Sequence, residues 1–331
     1  MASQLTDIPR HLVATSDEST WDSENPMLFL GTWCFSPEPL LKDKAKNLVV
    51  LDYHLQTPGQ FVRAGVYVDH YYEELLRALS GRLNEIHQLT WDEKSWRILI
   101  GPWLHRHIEI YYDRWKNIEL ALKKYRLKSH SLPMPSCEDL IPMNYDELGE
   151  LSKTDQWNNL VYGLIIKKQD PHIYQKKAHK VNFSKSHKNN AHKKFLSDHA
   201  NTASFIKVIR RLLTASPFQR LIKYITRRNR VFLYDFYSPT KLKKILTHLY
   251  FANLNFLLNQ PTIREQKAIT WSARQKLEFA NKPKDKFKAF ILENLPKMFP
   301  RVYLEDFDQL MKSTDHEFFA KEPKVIVTAT G

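Results

Sequence analysis

Cysteine is nearly missing from this chain. Cys34 and Cys137 are the only two in 331 residues, too few for a disulfide framework or a four-thiolate zinc site, and a reducing compartment fits. Glycine is scarce as well. The eight present, at 31, 59, 65, 81, 101, 149, 163 and 331, never fall at the spacing of a dinucleotide fingerprint (G-x-G-x-x-G) or a phosphate loop (G-x-x-x-x-G-K). A nucleotide handled by this protein must therefore be held by another device. Long apolar runs are lacking too: no window approaches the roughly 18–20 residues a membrane span needs. Met1 to Ser19 carries Asp7, Arg10 and Asp17 where a signal peptide needs an apolar stretch. These absences predict a soluble, cytoplasmic protein.

What is present is material for a core. Hydrophobic residues make up 43% and aromatic residues 12% of the chain, which excludes wholesale disorder, and the length suits about two domains of ~100–200 residues each. Lys and Arg number 50 against 36 Asp and Glu, a formal charge of +14.

Met27 to Thr32 and Asn47 to Leu51 are short apolar runs that read as strands buried on both faces, as in a parallel sheet. Between Val68 and His87, Tyr72, Leu75, Leu76, Leu79, Leu83 and Ile86 recur at intervals of three and four, one face of a helix. A second helical pattern starts at Asp92, a suitable N-cap, and runs to Leu122; Gly101-Pro102 predicts a kink or break within it. Ser131 to Pro142 reads as a connector and Asp155 to Lys168 as a helix. Further helices are expected at 204–213, 217–228, 238–258, 263–279, 284–295 and 303–311, with strands at 230–234 and 324–328. The fold class is α/β: a Rossmann-like parallel sheet with a large helical component. The division expected is an α/β region over 1–166, a basic insertion over 167–200 and a helix-rich α/β region over 201–331.

The insertion is unusual in charge. Residues 167–199 hold nine lysines and five histidines, opposed by Asp170 and Asp198 alone. Clustered positive charge suits phosphates. No zinc-finger, RRM or helix-turn-helix signature accompanies it, however, so nucleic acid is disfavoured as a partner and a solvated basic loop, with peripheral contact to anionic membrane, is preferred. A noncatalytic basic protein that binds nucleic acid or anionic membrane through 167–199 is the alternative to an enzyme.

Ligands of open α/β sheets gather beyond the carboxyl ends of the strands. Asp52, Tyr53 and His54 directly follow the strand at 47–51, and Asp235 closes the strand at 230–234. Asp235 is a candidate general base, and His54 a candidate acid or phosphate contact. The structural alternatives are a helix cap for Asp235 and a loop hydrogen bond for His54. Trp96, Arg97 and Trp103 crowd around the expected kink, where they form either a stacking wall with an anion-binding fork or a core helix with a snorkelling arginine. His105 and His107 stand two apart, which is not the spacing of a metal pair on one helix face. Asp113-Arg114-Trp115 reads most simply as an exposed ion pair on a helix, with an acceptor contact as the second reading. No metal and no cofactor is expected.

Several blocks together resemble a known family. These are Leu28-Phe-Leu-Gly-Thr-Trp-Cys34, Leu51-Asp-Tyr-His54, Tyr71 to His87 with its Leu-Asn-Glu-Ile-His ending, Trp96-Arg-Ile-Leu-Ile-Gly-Pro-Trp103, Phe299-Pro-Arg-Val-Tyr-Leu-Glu305 and Pro323-Lys-Val-Ile-Val327. They look like the N-terminal half of transferases encoded among bacterial surface-polysaccharide genes, O-antigen and capsule clusters included. Such proteins resemble GT-B glycosyltransferases in plan and, more distantly, the β-Kdo transferases. The resemblance implies transfer of a sugar from a nucleotide-sugar donor, a CMP-sugar most favoured, to a glycan or lipid-linked acceptor at the inner face of the cytoplasmic membrane. Within that picture, position and residue type assign Asp235 as the base, His54 and Arg97 to steady charge on donor or acceptor, and Trp33 and Trp103 as apolar walls, with Asp52 and Tyr53 beside the substrate. The second lobe of that plan, with its His-Gly-Gly-type motif, has no counterpart here, so an incomplete donor site and an inactive fragment are expected.

Overall fold

The computed structural model describes residues 8–22, 24–34, 48–132, 137–176, 231–234, 255–257, 267–280, 283–315 and 325–328. The chain divides into two units, residues 1–182 with 268–305, and residues 183–267 with 306–331. Each contains a parallel sheet, as the apolar runs predict.

In the first unit, strands β1 (Arg10–Val13), β2 (Met27–Phe29), β3 (Leu48–Val50), β4 (Leu127–Leu132) and β5 (Tyr174–Lys176) form one all-parallel sheet in the order β3-β2-β1-β4-β5. The register sets His11 beside Met27 and Met27 beside Leu48. Strand order reverses between β1 and β4, the doubly wound arrangement of a Rossmann-like fold.

The two central strands carry buried polar side chains, which is why apolar periodicity does not reveal them. Both histidines find hydrogen-bond partners there. His11 bonds through Nδ1 to Ser129 Oγ at 2.8 Å and through Nε2 to the Thr20 carbonyl at 2.8 Å. His130 Nδ1–H donates to the Leu12 carbonyl at 2.8 Å. Burial drives the His130 imidazole down to about 4, so it packs neutral.

Two long helices follow β3. Helix α1 (Pro58–His87) opens on a capping box, Thr57 receiving the Gln60 N–H while the Gln60 side chain reaches back, with Pro58 in the first turn. Leu75, Leu76, Leu79 and Leu83 are buried as expected, joined by Val68 and by Tyr71, whereas Tyr72 and Ile86 of the expected face are half-buried. Helix α2 (Glu93–Lys124) is capped by Asp92, which accepts the Ser95 N–H at 2.8 Å. It is unbroken through Gly101-Pro102, where the sequence predicts a kink or break. Pro102 is exposed, so the hydrogen bond it forfeits lies on the solvent side. Gly101 has another use: a Cβ there would stand 2.7 Å from the Tyr72 hydroxyl, so its absence lets α1 approach.

Helices α3 (Tyr145–Leu151) and α4 (Asp155–Gln169) come next in this unit. After residues of the second unit, the chain returns with α5 (Trp271–Gln275) and α6 (Lys286–Asn294). The inner face of α2 is an aromatic spine that receives this returning segment. Trp103 meets Phe299 at 4.9 Å between ring centroids, and Trp115 meets Phe290 at 5.3 Å and Phe287 at 5.9 Å. Burying several such rings, each contributing on the order of 1.5–3 kcal/mol, ties residues 268–305 to the first unit. Arg274 and Glu305 add a fully buried ion pair, with Nε and Nη2 each 2.7 Å from a carboxylate oxygen. Nη1 donates to the carbonyls of Pro296 and Phe299, both at 2.9 Å.

In the second unit, β6 (Val231–Tyr234), β7 (Asn255–Leu257) and β8 (Val325–Thr328) form a parallel sheet in the order β7-β6-β8, and α7 spans Phe307–Asp315. Residues 255–257 were expected to end a helix; they are a strand instead, paired with β6, because an apolar stretch this short carries no distinguishing period. Of the helix expected over 263–279, the described residues from 267 on hold only α5, and 303–311 resolves into a 3-10 turn, Arg301–Tyr303, and α7. The helices expected at 204–213 and 217–228, and residues 177–199 of the basic segment, lie outside the described residues. Among the described residues no helix is long and apolar enough to cross a membrane.

Candidate functional site

Three chain segments leave the carboxyl ends of β1, β2 and β3, and each carries polar or aromatic groups. After β1, Thr15 Oγ1 donates to Asn159 Oδ1 at 2.8 Å and Ser16 donates to the Asp155 carboxylate, so α4 pins this turn. Asp17 caps the next turn, accepting the Ser19 N–H at 3.1 Å. After β2, Trp33 lies in a 3-10 turn, Thr32–Cys34. Its indole N–H donates to the Ala14 carbonyl at 3.1 Å, bridging the ends of β1 and β2. The ring folds across Gly31, where a Cβ would come within 2.1 Å of an indole carbon, so only glycine accepts this placement. Trp33 remains 43% exposed: its indole is held at the sheet's carboxyl edge with part of its surface open. Cys34 beside it is buried, and burial pushes its thiol up to about 12, so it is inert.

After β3 the chain delivers Tyr53 and His54 to Asp113 of α2. His54 Nε2 lies 3.0 Å from Asp113 Oδ1, and the Tyr53 hydroxyl donates to the same oxygen at 2.5 Å. The His54 side chain is 8% exposed and that of Asp113 31%. Burial pushes the Asp113 carboxyl up. The hydrogen bonds from His54 and Tyr53 and the nearby Arg114 charge outweigh it, holding the group below the ordinary carboxylate value. Arg114 Nη1 is 3.7 Å from Asp113 Oδ2, and its guanidinium is fixed by Asn158 Oδ1 at 2.8 Å and the carbonyls of Ile110 and Ser152, both at 3.2 Å. The Tyr53 hydroxyl is raised by burial and by Asp113, and stays protonated.

This arrangement fixes a tautomer. An ionised carboxylate only accepts, so His54 Nε2 carries the proton and Nδ1 presents its lone pair. A carboxylate that orients an imidazole and offsets its charge on protonation is the structural requirement for a general base.

The other residues singled out from sequence lie elsewhere. Asp52 is exposed and pairs with Lys124 at 3.4 Å. Arg97 clamps Glu73 with two bonds of 2.6 Å and Glu93 with one of 2.8 Å, and lies over the Tyr72 ring. It precedes Asp113 by sixteen residues on the same helix, about 24 Å at the helical rise, so it does not join the His54 cluster. Trp103 has no exposed surface and packs against Phe299 and His107; it is a core residue here, not the wall of an open cleft. Asp235 lies outside the described residues. His105 pairs with Asp69 at 2.9 Å, whereas His107 is buried and burial lowers it to about 3.

Asp113 is the residue whose partner sequence reasoning did not find: it reads there as half of an exposed pair with Arg114, with an acceptor contact as the second reading, and not as the partner of His54. Its partner His54 lies 59 positions earlier, and no local pattern signals that distance. The one available hint is that Asp113 sits among Tyr111, Tyr112 and Trp115, on a helix with too many aromatics to be mostly solvated.

Comparison with known proteins gives one match. The model of a family described as LIC12162 family transferase matches residues 10–331, nearly the whole chain. No curated protein and no solved structure matches.

Proposed function

The chain belongs to the LIC12162 family of transferases, and we propose that the group it transfers is a sugar, moved from a nucleotide-activated donor to a hydroxyl of a glycan or lipid-linked acceptor. The observation that carries this reading is the Asp113–His54 pair, 3.0 Å apart, beyond the carboxyl end of β3, the edge strand of the sheet, on the side from which such folds take their ligands although two strands from the point where the strand order reverses.

In this reading His54 Nδ1 removes the acceptor hydroxyl proton as the oxygen attacks the anomeric carbon of the donor. The bond from that carbon to the donor's phosphate oxygen breaks, and the nucleotide leaves with the electron pair. The proton ends on His54, whose new charge Asp113 offsets. Trp33 offers its open indole surface to a flat donor group such as a nucleobase. This assignment moves the base from Asp235 to His54, the residue with a carboxylate behind it. Surface-polysaccharide synthesis, a GT-B plan, a CMP-sugar donor and an acceptor presented at an anionic membrane surface complete the proposal. The resemblance of the Trp96–Trp103 block and the +14 charge support it.

The test offers the full chain CMP-, UDP- and GDP-sugars with a glycan acceptor and measures nucleotide release. A donor that is turned over by the unsubstituted chain should be turned over roughly 10²–10⁴ times more slowly by His54→Gln, with Asp113→Asn also impaired. Unchanged turnover in both variants would remove the pair as the base.

A further inference from the structure

A pocket of about 300 Å³ lies between α1, α2 and the start of α6, on the neighbouring side of α2 from Asp113. Its wall is aromatic: the Tyr67 and Tyr112 rings stack at 5.0 Å with 29° between their planes, and Trp115 closes the base. The Tyr112 ring is also 6.5 Å from the His54 ring, so the pocket and the candidate base share a residue as their partition.

The polar groups alternate in kind around this wall. The Tyr67 hydroxyl donates to Asp285 Oδ2 at 2.7 Å, and Asp285 Oδ1 accepts the N–H groups of Phe287 and Lys288 at 2.8 and 3.1 Å. Lys116 Nζ donates to Glu119 Oε2 at 2.5 Å and lies over the Tyr112 ring at 5.8 Å. The Tyr112 hydroxyl makes no hydrogen bond with another described side chain. Lys116 and Lys286 balance Glu119 and Asp285, so the rim has no net charge. An anion meets as much repulsion as attraction there, and a purely apolar ligand would strand the carboxylates and ammonium groups without water. A compact ring with several hydroxyls satisfies both constraints: its C–H face lies on the aromatic wall and its hydroxyls exchange bonds with the donors and acceptors at the rim.

We propose that this pocket binds an uncharged pyranose, the acceptor sugar whose hydroxyl His54 deprotonates. The second half of that statement rests on the transferase reading above; the first half does not.

The experiment is saturation-transfer NMR on the full chain. The probes are the methyl glycosides of glucose, galactose, mannose and N-acetylglucosamine, with inorganic phosphate as an anionic competitor. At least one glycoside should receive magnetisation from the aromatic protons, and phosphate should not displace it. Glu119→Gln, which replaces an acceptor oxygen by an amide donor, and Tyr112→Phe, which removes a hydroxyl, both keep the side chain's shape and should weaken binding at least fivefold. Absence of transfer to all four probes, displacement by phosphate, or binding indifferent to both pocket substitutions would overturn the assignment. Binding that behaves as expected, with turnover unaffected by His54→Gln, would uphold the pocket and reject the base.

Discussion

Acidification should unfold the first unit through its buried histidines, and one substitution should blunt the effect. His107 and His130 are both enclosed and neutral, lowered by burial from an ordinary 6.5 to about 3 and about 4. In the unfolded chain each would take a proton near 6.5. Between that value and the folded one, the unfolded state binds more protons, so stability rises with pH and falls as acid is added. Each histidine contributes about 1.4 kcal/mol per pH unit inside its window, so lowering the pH from 6.5 to 4.5 should cost about 3 kcal/mol per histidine. His107 is the cleaner one to replace, because neither ring nitrogen has a hydrogen-bond partner and its surroundings are the rings of Trp103 and Tyr111. His107→Leu should therefore keep its urea midpoint near the parent's at pH 7, within the ~1.5 kcal/mol typical of volume-conserving core changes. At pH 4.5 it should surpass the parent by about 3 kcal/mol. All eight tryptophans fall in residues 1–182 and 268–305, so fluorescence-detected urea unfolding across pH 4.5–7 reports this unit alone. Parallel pH dependence in parent and variant would refute the reasoning, because it would mean that His107 is solvated or already charged in the folded state.

Two further substitutions probe the frame around the site. Arg274→Met leaves Glu305 as a buried charge with no counter-ion and should cost about 3–5 kcal/mol; adding Glu305→Leu should recover much of it, and a double variant no better than the single would show that the pair is not coupled. Gly31→Val puts a side chain where the Trp33 indole lies and should lose about 1–3 kcal/mol as that ring is expelled. A crystal structure of the variant with Trp33 in its original place would contradict that.

The parallel sheets were legible wherever their strands were apolar. Met-Leu-Phe at 27–29, Leu-Val-Val at 48–50, Val-Phe-Leu-Tyr at 231–234 and Val-Ile-Val-Thr at 325–328 are all strands. The two long helices declared themselves by period, and the second by its Asp92 cap as well, whereas the first begins at Pro58, ten residues before the expected Val68. The hidden strands β1 and β4 bury Arg10, His11, Ser129 and His130, and a pattern that equates burial with apolarity passes over side chains that find a partner in the sheet, His11 in Ser129 and Arg10 and His130 in backbone carbonyls. The site was half legible for a related reason. His54 is found by counting to the end of a strand, but Asp113 is found only when α2 is laid beside that end. Arg97 drew notice as an unpaired fork in sequence, yet Glu73 from the neighbouring helix fills it. Trp103 drew notice for its size, and its size is what buries it.

The arrangement of His54 is open to direct observation by nitrogen NMR of the chain labelled with ¹⁵N-histidine, with the His54→Gln variant identifying its signals. The account predicts that the neutral imidazole carries its proton on Nε2 and leaves Nδ1 bare, a preference that Asp113→Asn should weaken. A proton found on Nδ1, or a spectrum indifferent to Asp113→Asn, would contradict the claim that Asp113 holds this imidazole ready to act as a base.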